Sequence, residues 1–203
     1  DAAEKQRAAG DHFWWYVCTE PKAPYATEFI DHPASDLRVW LWQAWQHKIE
    51  GILVWESVYW TSDAAYPDKG VMQNPYRDAM SWVNGYGAKP GEKKPWGNGD
   101  GRFLYPPEAC FETEGPVLDA PVDSIRWEML RDGIEDYEYF AILQRLLHSS
   151  KGAKISPDEQ KRLQNLLTVP ASISKSTTEF TTDPAPLEAR RHEIALAIEG
   201  LSR

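Results

Sequence analysis

Cysteine is scarce in this chain: 203 residues hold two, Cys18 and Cys110. Two cysteines make neither a disulfide framework nor the paired spacing of a structural zinc site. Cys18 lies in an apolar run and reads as a buried thiol. The five histidines, at 12, 32, 47, 148 and 192, show no metal-ligand spacing, so neither a metal nor another cofactor is expected. No apolar run approaches the ~20 residues that cross a bilayer. Positive charge is also short, with 22 Lys and Arg against 31 Asp and Glu, a net charge of −9, and no concentrated basic stretch. Nucleic acid and anionic membrane are therefore not expected as partners. A nucleophilic Ser or Cys motif is missing, and GNGDG (97–101) has neither the lysine nor the spacing of a phosphate loop, reading instead as a tight, mobile turn. The opening DAAEKQRAAG is neither a signal peptide nor a starting Met. It reads as the tail of a helix closed by Gly10, as if the chain started in the middle of something.

Aromatic residues are plentiful. All ten Trp lie between Trp14 and Trp127, which divides the chain into an aromatic-rich body and a plainer helical tail. A hydrophobic share of 42% supports a real core. HFWWYVCT (12–19) is a β-favouring run of strand length, followed by a loop that Pro21, Pro24 and Pro33 keep extended. DLRVWLWQAWQHKIEG (36–51) predicts a helix with Leu37, Trp40, Leu41, Ala44, Trp45 and Lys48 on one face, Asp36 or Ser35 as its cap and Gly51 at C′. ILVWE (52–56) is a second strand, apolar on both faces as a parallel strand is under helices. The order strand, loop, helix, strand is the rhythm of a parallel β/α sheet.

The stretch 57–101 is rich in Gly, Pro, Asn and Trp without a period, and loops of that length are usually functional walls or lids. RFLYPP (102–107) is a third strand candidate. The residues 122–147 predict the longest helix, with Trp127, Leu130, Ile134, Tyr137 and Ala141 on its inner face and its many acids in solvent. Ser156-Pro157-Asp158-Glu159 is a capping box that opens a helix through Leu167. The Ser- and Thr-rich stretch 168–183 reads as a linker, and 186–200 as a closing amphipathic helix. The expected organisation is 1–150 as the body and 151–203 as the tail. Three strand candidates do not close a sheet. If the architecture is a (β/α)8 barrel, this α/β chain is its last third, and it needs either the missing N-terminal barrel segment or self-association through its exposed sheet edges.

Sites in parallel β/α folds gather at the C-terminal strand ends, which selects Glu20, Glu56 and Tyr105. Aromatic faces beside carboxylates suit sugars, because a pyranose offers C–H groups to a ring and hydroxyls to acids and Arg. Trp55, Tyr59, Trp60, Trp82, Trp96 and Tyr105 are placed to form such a face, with core packing as the competing explanation for any single Trp. Glu20 and Glu56 also fit, by position, a glycosidase acid and nucleophile. Glu56 is equally a hydroxyl-binding group or one that fixes its own loop.

WWYVCTEPKAPYATEFIDHP, DLRVWLWQAWQHKIEGILVW, the pair Tyr59-Trp60, GDGRFLYPP and, most specifically, PVDSIRWEMLRDGIEDYEYF resemble the C-terminal part of the glycoside hydrolase family 123 catalytic domain, which also circulates as a domain of unknown function. The resemblance covers about residues 10–147. It implies a (β/α)8 barrel and β-N-acetylgalactosaminidase activity in which the substrate's 2-acetamido group is the nucleophile. An adjacent Asp-Glu pair then orients that group and supplies the acid and base. The chain's only Asp-Glu dipeptide is Asp158-Glu159, at a helix cap in the tail. No catalytic residue is therefore carried over, and the pair is expected upstream of Asp1. What the resemblance does carry over is late-barrel walls: Tyr59, Trp60 and the run from Arg102 to Tyr105. Glu56, Tyr59, Trp60, Trp96, Arg102 and Tyr105 are the resulting substrate-binding candidates, for a glycan. A non-catalytic carbohydrate-binding module is the alternative. A sugar-degrading role points to a secreted or periplasmic full-length protein.

Overall fold

A computed structural model of the chain describes residues 2–60, 75–76, 79–82, 96–107, 120–149 and 152–203. Cys110 and most of the stretch 57–101 lie outside these residues. The helices are α1 (Ala2–Ala8), α2 (Ser35–Gln46), α3 (Ile125–Leu147), α4 (Pro157–Leu166) and α5 (Ala185–Ser202). The strands are β1 (Trp14–Tyr16), β2 (Gly51–Leu53), β3 (Met80–Trp82), β4 (Trp96–Asn98), β5 (Leu104–Tyr105), β6 (Val122–Asp123), β7 (Ser174–Ser176) and β8 (Glu179–Phe180). The class is mixed α/β.

β1 and β2 pair in parallel, Trp14 opposite Gly51 and Tyr16 opposite Leu53, with α2 in the connection between them. This is the β/α/β unit that the sequence rhythm predicts. The rhythm does not continue: β5, the third strand candidate, pairs antiparallel with β6, and β3 pairs antiparallel with β4. Side chains alternate across a strand. Trp15 stacks on Trp40 of α2, and Ile52 packs into the same core. Trp14, Tyr16 and Leu53 therefore point the other way, and they are 66%, 46% and 45% exposed.

Helix α2 is not the one-faced helix that its periodicity predicts. Residues 36–44 are all buried, Arg38 and Gln43 included. On one side Leu37, Trp40 and Leu41 pack with Val17, Phe103 and Leu130; on the other Val39 and Trp42 pack with Phe140, Leu143, Ile173, Leu187 and Ile194. Its ends also differ from expectation. Neither Ser35 nor Asp36 caps it: Ala34 occupies the cap position, the Ser35 hydroxyl donates to the Thr182 carbonyl at 3.0 Å, and Asp36 is buried. At the other end Lys48, at φ +55°, takes the left-handed C′ position. Lys48 and Ile49 donate back to the carbonyls of Trp45 and Ala44 at 3.1 and 2.8 Å, a Schellman closure. Gly51 serves packing instead, since a Cβ there would lie 2.4 Å from the Trp14 ring.

Helix α3 is capped by Ser124, whose Oγ accepts from the Trp127 N–H at 3.2 Å. Its buried face is Arg126, Leu130, Gly133, Asp136, Phe140, Leu143 and Leu147, so the predicted face is displaced toward polar positions and Ile134 is exposed. The acids of α3 are not all in solvent. Asp136 is buried, accepts from Arg38 Nε at 2.6 Å and Trp42 Nε1 at 2.8 Å, and forms an ion pair with Arg191 Nη1, 3.2 Å away. Arg38 also pairs with Glu188 of α5. One carboxylate thus joins three helices.

The stretch 168–183 is not a bare linker. It carries the β7–β8 hairpin, and the carbonyls of Ser174 and Ser176 accept from Gln46 and Gln43 of α2, both at 3.3 Å. The Ser156 cap is as the sequence predicts, its Oγ accepting from the Glu159 N–H at 3.2 Å. Glu159 then pairs with Arg162.

Removing one member of a buried ion pair strands the other, at a cost of about 3–5 kcal/mol. Asp136→Ala is expected to destabilise the chain by that order in urea unfolding. Replacing Arg38, Asp136 and Arg191 together by apolar residues of similar volume is expected to recover most of the loss.

Candidate functional site

The loops that follow β1 and β2 meet above the C-terminal ends of those strands. Glu28 lies in the first loop, Trp55 to Trp60 in the second, and residues 99–105 pass beside both. Ser57 and Tyr59 are stitched to this third segment, the Ser57 carbonyl accepting from Phe103 N–H at 3.0 Å and the Tyr59 N–H donating to the Gly101 carbonyl at 2.9 Å. A short antiparallel bridge joins Val58 to Arg102.

Arg126, from the first turn of α3, ties the loops together. Its Nη1 donates to the carbonyls of Glu28 at 2.6 Å and Gly99 at 2.9 Å, and its Nη2 to that of Arg102. The guanidinium also lies over the Phe103 ring, 5.0 Å from its centroid. Gly99 is required here: its φ is +82°, and a Cβ would lie 2.9 Å from the guanidinium. GNGDG (97–101) is thus no loose turn, for Gly99, Asp100 and Gly101 are buried.

The aromatic candidates line the outer side of this frame. Trp55 and Tyr59 meet edge to face at 5.0 Å, and Trp55 Nε1 donates to Asp100 Oδ1 at 2.8 Å. Trp60 Nε1 donates to the Leu104 carbonyl at 2.8 Å. Tyr105 lies 5.0 Å from Tyr76, whose hydroxyl donates to the Pro106 carbonyl at 3.0 Å. Trp55, Tyr59, Trp60 and Tyr105 are each half-buried, held at the polar end and open along part of a ring. The side chains of Trp82 and Trp96 lie outside the described residues; their backbones pair across β3 and β4.

The charged candidates take other positions. Glu56 accepts from the N–H groups of Ser57 and Val58 at 2.9 and 3.1 Å, which fixes its own turn and spends one carboxylate oxygen. Arg102 is 0% exposed and donates Nε to the Tyr59 carbonyl at 2.7 Å, so it braces the wall from behind rather than presenting a guanidinium to a ligand. Glu20 is exposed, 3.6 Å from Lys22. Cys18 is half-buried, its Sγ 3.6 Å from the Thr19 hydroxyl. Among the described residues no group of His, Cys, Asp and Glu is arranged to hold a metal ion.

Two acids emerge that sequence reasoning passed over, Glu28 and Asp100, 0% and 1% exposed. Neither carboxylate oxygen of Glu28 has a hydrogen-bond partner among the described residues. Burial, reinforced by the neighbouring Asp100, pushes the Glu28 carboxyl up to about 10. The one sequence cue was Glu28 between Thr27 and Phe29 in an apolar run, which gives no period to read.

An unfolded glutamate loses its proton near about pH 4.3, whereas folded Glu28 keeps it to about 10. Between these limits the folded chain binds the extra proton. Its contribution is full below the unfolded value and is lost as pH rises, by at most about 1.4 kcal/mol per pH unit. Urea unfolding between pH 5 and 10 is expected to show stability falling more steeply for the unaltered chain than for Glu28→Gln.

Residues 1–143, more than half of the chain, match the family described as glycoside hydrolase 123, catalytic domain. The match ends inside α3, before α4, the hairpin and α5. No curated protein matches the chain. By this match, the chain belongs to the glycoside hydrolase 123 catalytic-domain family.

Proposed function

We propose that the chain forms the late-barrel wall of a glycosidase acting on glycans, of the β-N-acetylgalactosaminidase type with a substrate-assisted retaining mechanism. The observation that carries this reading is the aromatic row of Trp55, Tyr59, Trp60 and Tyr105 at the C-terminal side of the parallel strands. Each ring is oriented by a polar or ring contact and remains partly open. Rings held this way offer a pyranose flat apolar faces at low entropic cost. In the proposed reaction the substrate's acetamido oxygen attacks the anomeric carbon while a general acid protonates the leaving oxygen. The carboxyl groups for this step come from strands outside this sequence. Asp158-Glu159 is engaged at the α4 cap and with Arg162, and Glu56 is engaged with its own backbone.

The proposed architecture is a (β/α)8 barrel in which β1 and β2 are neighbouring strands, residues 1–150 belong to the barrel, and residues 151–203 form a helical brace. Support comes from the parallel pair, its α2 cover, and the uncovered face of Trp14, Tyr16 and Leu53. In a barrel that face points to the axis and packs in layers with side chains of other strands. The partner for the open strand edges is then the N-terminal barrel segment, with self-association as the alternative. The second functional reading, a carbohydrate-binding module without catalysis, is favoured by the same aromatic row.

Hydrolysis of an aryl 2-acetamido-2-deoxy-β-galactoside by the native polypeptide that carries these residues separates the readings. Retaining hydrolysis is expected, with Trp60→Ala raising KM about tenfold through a lost stacking face of ~1–1.5 kcal/mol and changing kcat little. Glycan binding without hydrolysis would leave the binding module. Hydrolysis abolished by Glu56→Gln in a protein that folds would overturn the assignment of the acid to other strands.

A further inference from the structure

We infer that Asp100 is a positioning residue for the aromatic wall: with Gly99 and Gly101 on either side, it forms a buried seat that fixes the Trp55 indole and its meeting with Tyr59. The consequence for glycan binding rests on the reading of Trp55 and Tyr59 as part of that wall; the seat itself does not.

Asp100 is only 1% exposed, so its effect on the cleft passes through its neighbours and not through a ligand contact of its own. Its Oδ1 accepts from Trp55 Nε1 at 2.8 Å. An indole has a single donor, and pairing that donor with a fixed acceptor restrains the ring's rotation about its side-chain bonds. The same edge of the indole rests on the next residue. A Cβ at Gly101 would lie 2.8 Å from Trp55 Cζ2 and 3.4 Å from Cε2, the ring atoms that continue from the nitrogen. It would also lie 3.0 Å from the Tyr59 Cβ. Gly101 is thus required twice, by its φ of +70° and by two side chains that close on it.

Tyr59 takes its position from the same turn. Its N–H donates to the Gly101 carbonyl at 2.9 Å, and its own carbonyl accepts from Arg102 Nε at 2.7 Å. The two rings then meet edge to face, their planes at 66° and their centroids 5.0 Å apart. The turn is itself anchored. The Gly99 N–H donates to the Ala79 carbonyl at 2.9 Å, and the Gly99 carbonyl accepts from the Arg102 N–H at 3.0 Å and Arg126 Nη1 at 2.9 Å. Three residues therefore give both rings one frame of reference. Rings held in place before a ligand arrives need not be ordered when it binds.

The indole N–H resonance of Trp55 in the 15N-labelled native polypeptide, assigned by its loss in Trp55→Phe, tests the seat. Asp100→Leu should shift or broaden it, and Asp100→Asn, which keeps an acceptor oxygen, should leave it nearly in place. Gly101→Ala should move it from the ring edge. An unmoved resonance in a folded Asp100→Leu protein would overturn the proposal. Should Asp100→Leu not fold, exchange of that proton with solvent in the unaltered protein decides: slow exchange is expected, and exchange as fast as that of an exposed indole would overturn the proposal. On an aryl glycoside that the native polypeptide hydrolyses, Asp100→Leu should raise KM about fivefold, on the scale of one lost hydrogen bond, with little change in kcat, and Asp100→Asn should restore most of the loss. In a Trp55→Phe background the same Asp100→Leu change should raise KM less than twofold further, because the indole through which it acts is gone. A full fivefold rise in that background would show that Asp100 acts by another route. If no glycan binds at all, the wall reading fails, while the indole resonance and its exchange still decide whether Asp100 positions Trp55.

Discussion

Arg126 gives its N–H groups to the carbonyls of Glu28, Gly99 and Arg102, and the arrangement of the cleft side depends on that one guanidinium. The Glu28 carbonyl belongs to the loop after β1 and the other two to one turn, closed by the Arg102 N–H on the Gly99 carbonyl at 3.0 Å, and buried carbonyls need a donor. Ladder bonds cannot serve turns that run in different directions. A planar fork with several donors can, and a lysine in its place would offer a single point charge. The cation is itself buried, so it is anchored by a helix with a firm N-terminal cap at Ser124. The aromatic wall is one step removed: Tyr59 and Trp60 are fastened to the 101–104 backbone, which Arg126 holds at Arg102.

A second buried charge does the same for the helices. Asp136 takes hydrogen bonds from Arg38 and Trp42 and pairs ionically with Arg191, and so links α3 to α2 and α5. This explains why the tail beyond the family match is not a loose appendage. Its hairpin gives carbonyls to Gln43 and Gln46, its α4 end gives the Leu167 carbonyl to Trp45 at 2.8 Å, and its α5 supplies Glu188 to Arg38. In a β/α architecture α2 would have an outer face in water. Here that face is covered by the tail, which is why Val39 and Trp42 can be apolar on the side away from β1 and β2.

Where the pattern was strong, the sequence was readable. The helices over α2 and α3, the Ser156 cap, the two leading strands and the closing helix were all legible from period and capping chemistry. The inner face of α3 was misplaced because Arg126, Gly133 and Asp136 occupy buried positions that a hydrophobic period assigns to solvent. Gly51 was misread for a related reason. A glycine after a helix suggests a left-handed closure, but Lys48 takes that conformation and Gly51 makes room for Trp14. The stretch 168–183 read as a linker because its strands are two and three residues long, too short for any period to register.

The candidate site divides in the same way. That Tyr59, Trp60 and Tyr105 stand near the ends of strands followed from the order of elements and from residue type alone, as did the lack of an Asp-Glu pair outside the tail. Whether a charged side chain faces a cleft or the interior did not, because that depends on which loop lies behind it. Arg102 turned inward to the Tyr59 carbonyl, Glu56 turned back to its own turn, and the loop that carries Glu28 was tied at its backbone to Gly99 by a guanidinium from α3. Local sequence determined the elements and the supply of aromatic rings. Only the packing of three distant segments decided which polar groups were spent on backbone and which rings stayed open, since a hydrogen bond between segments nearly a hundred residues apart leaves no local period to read.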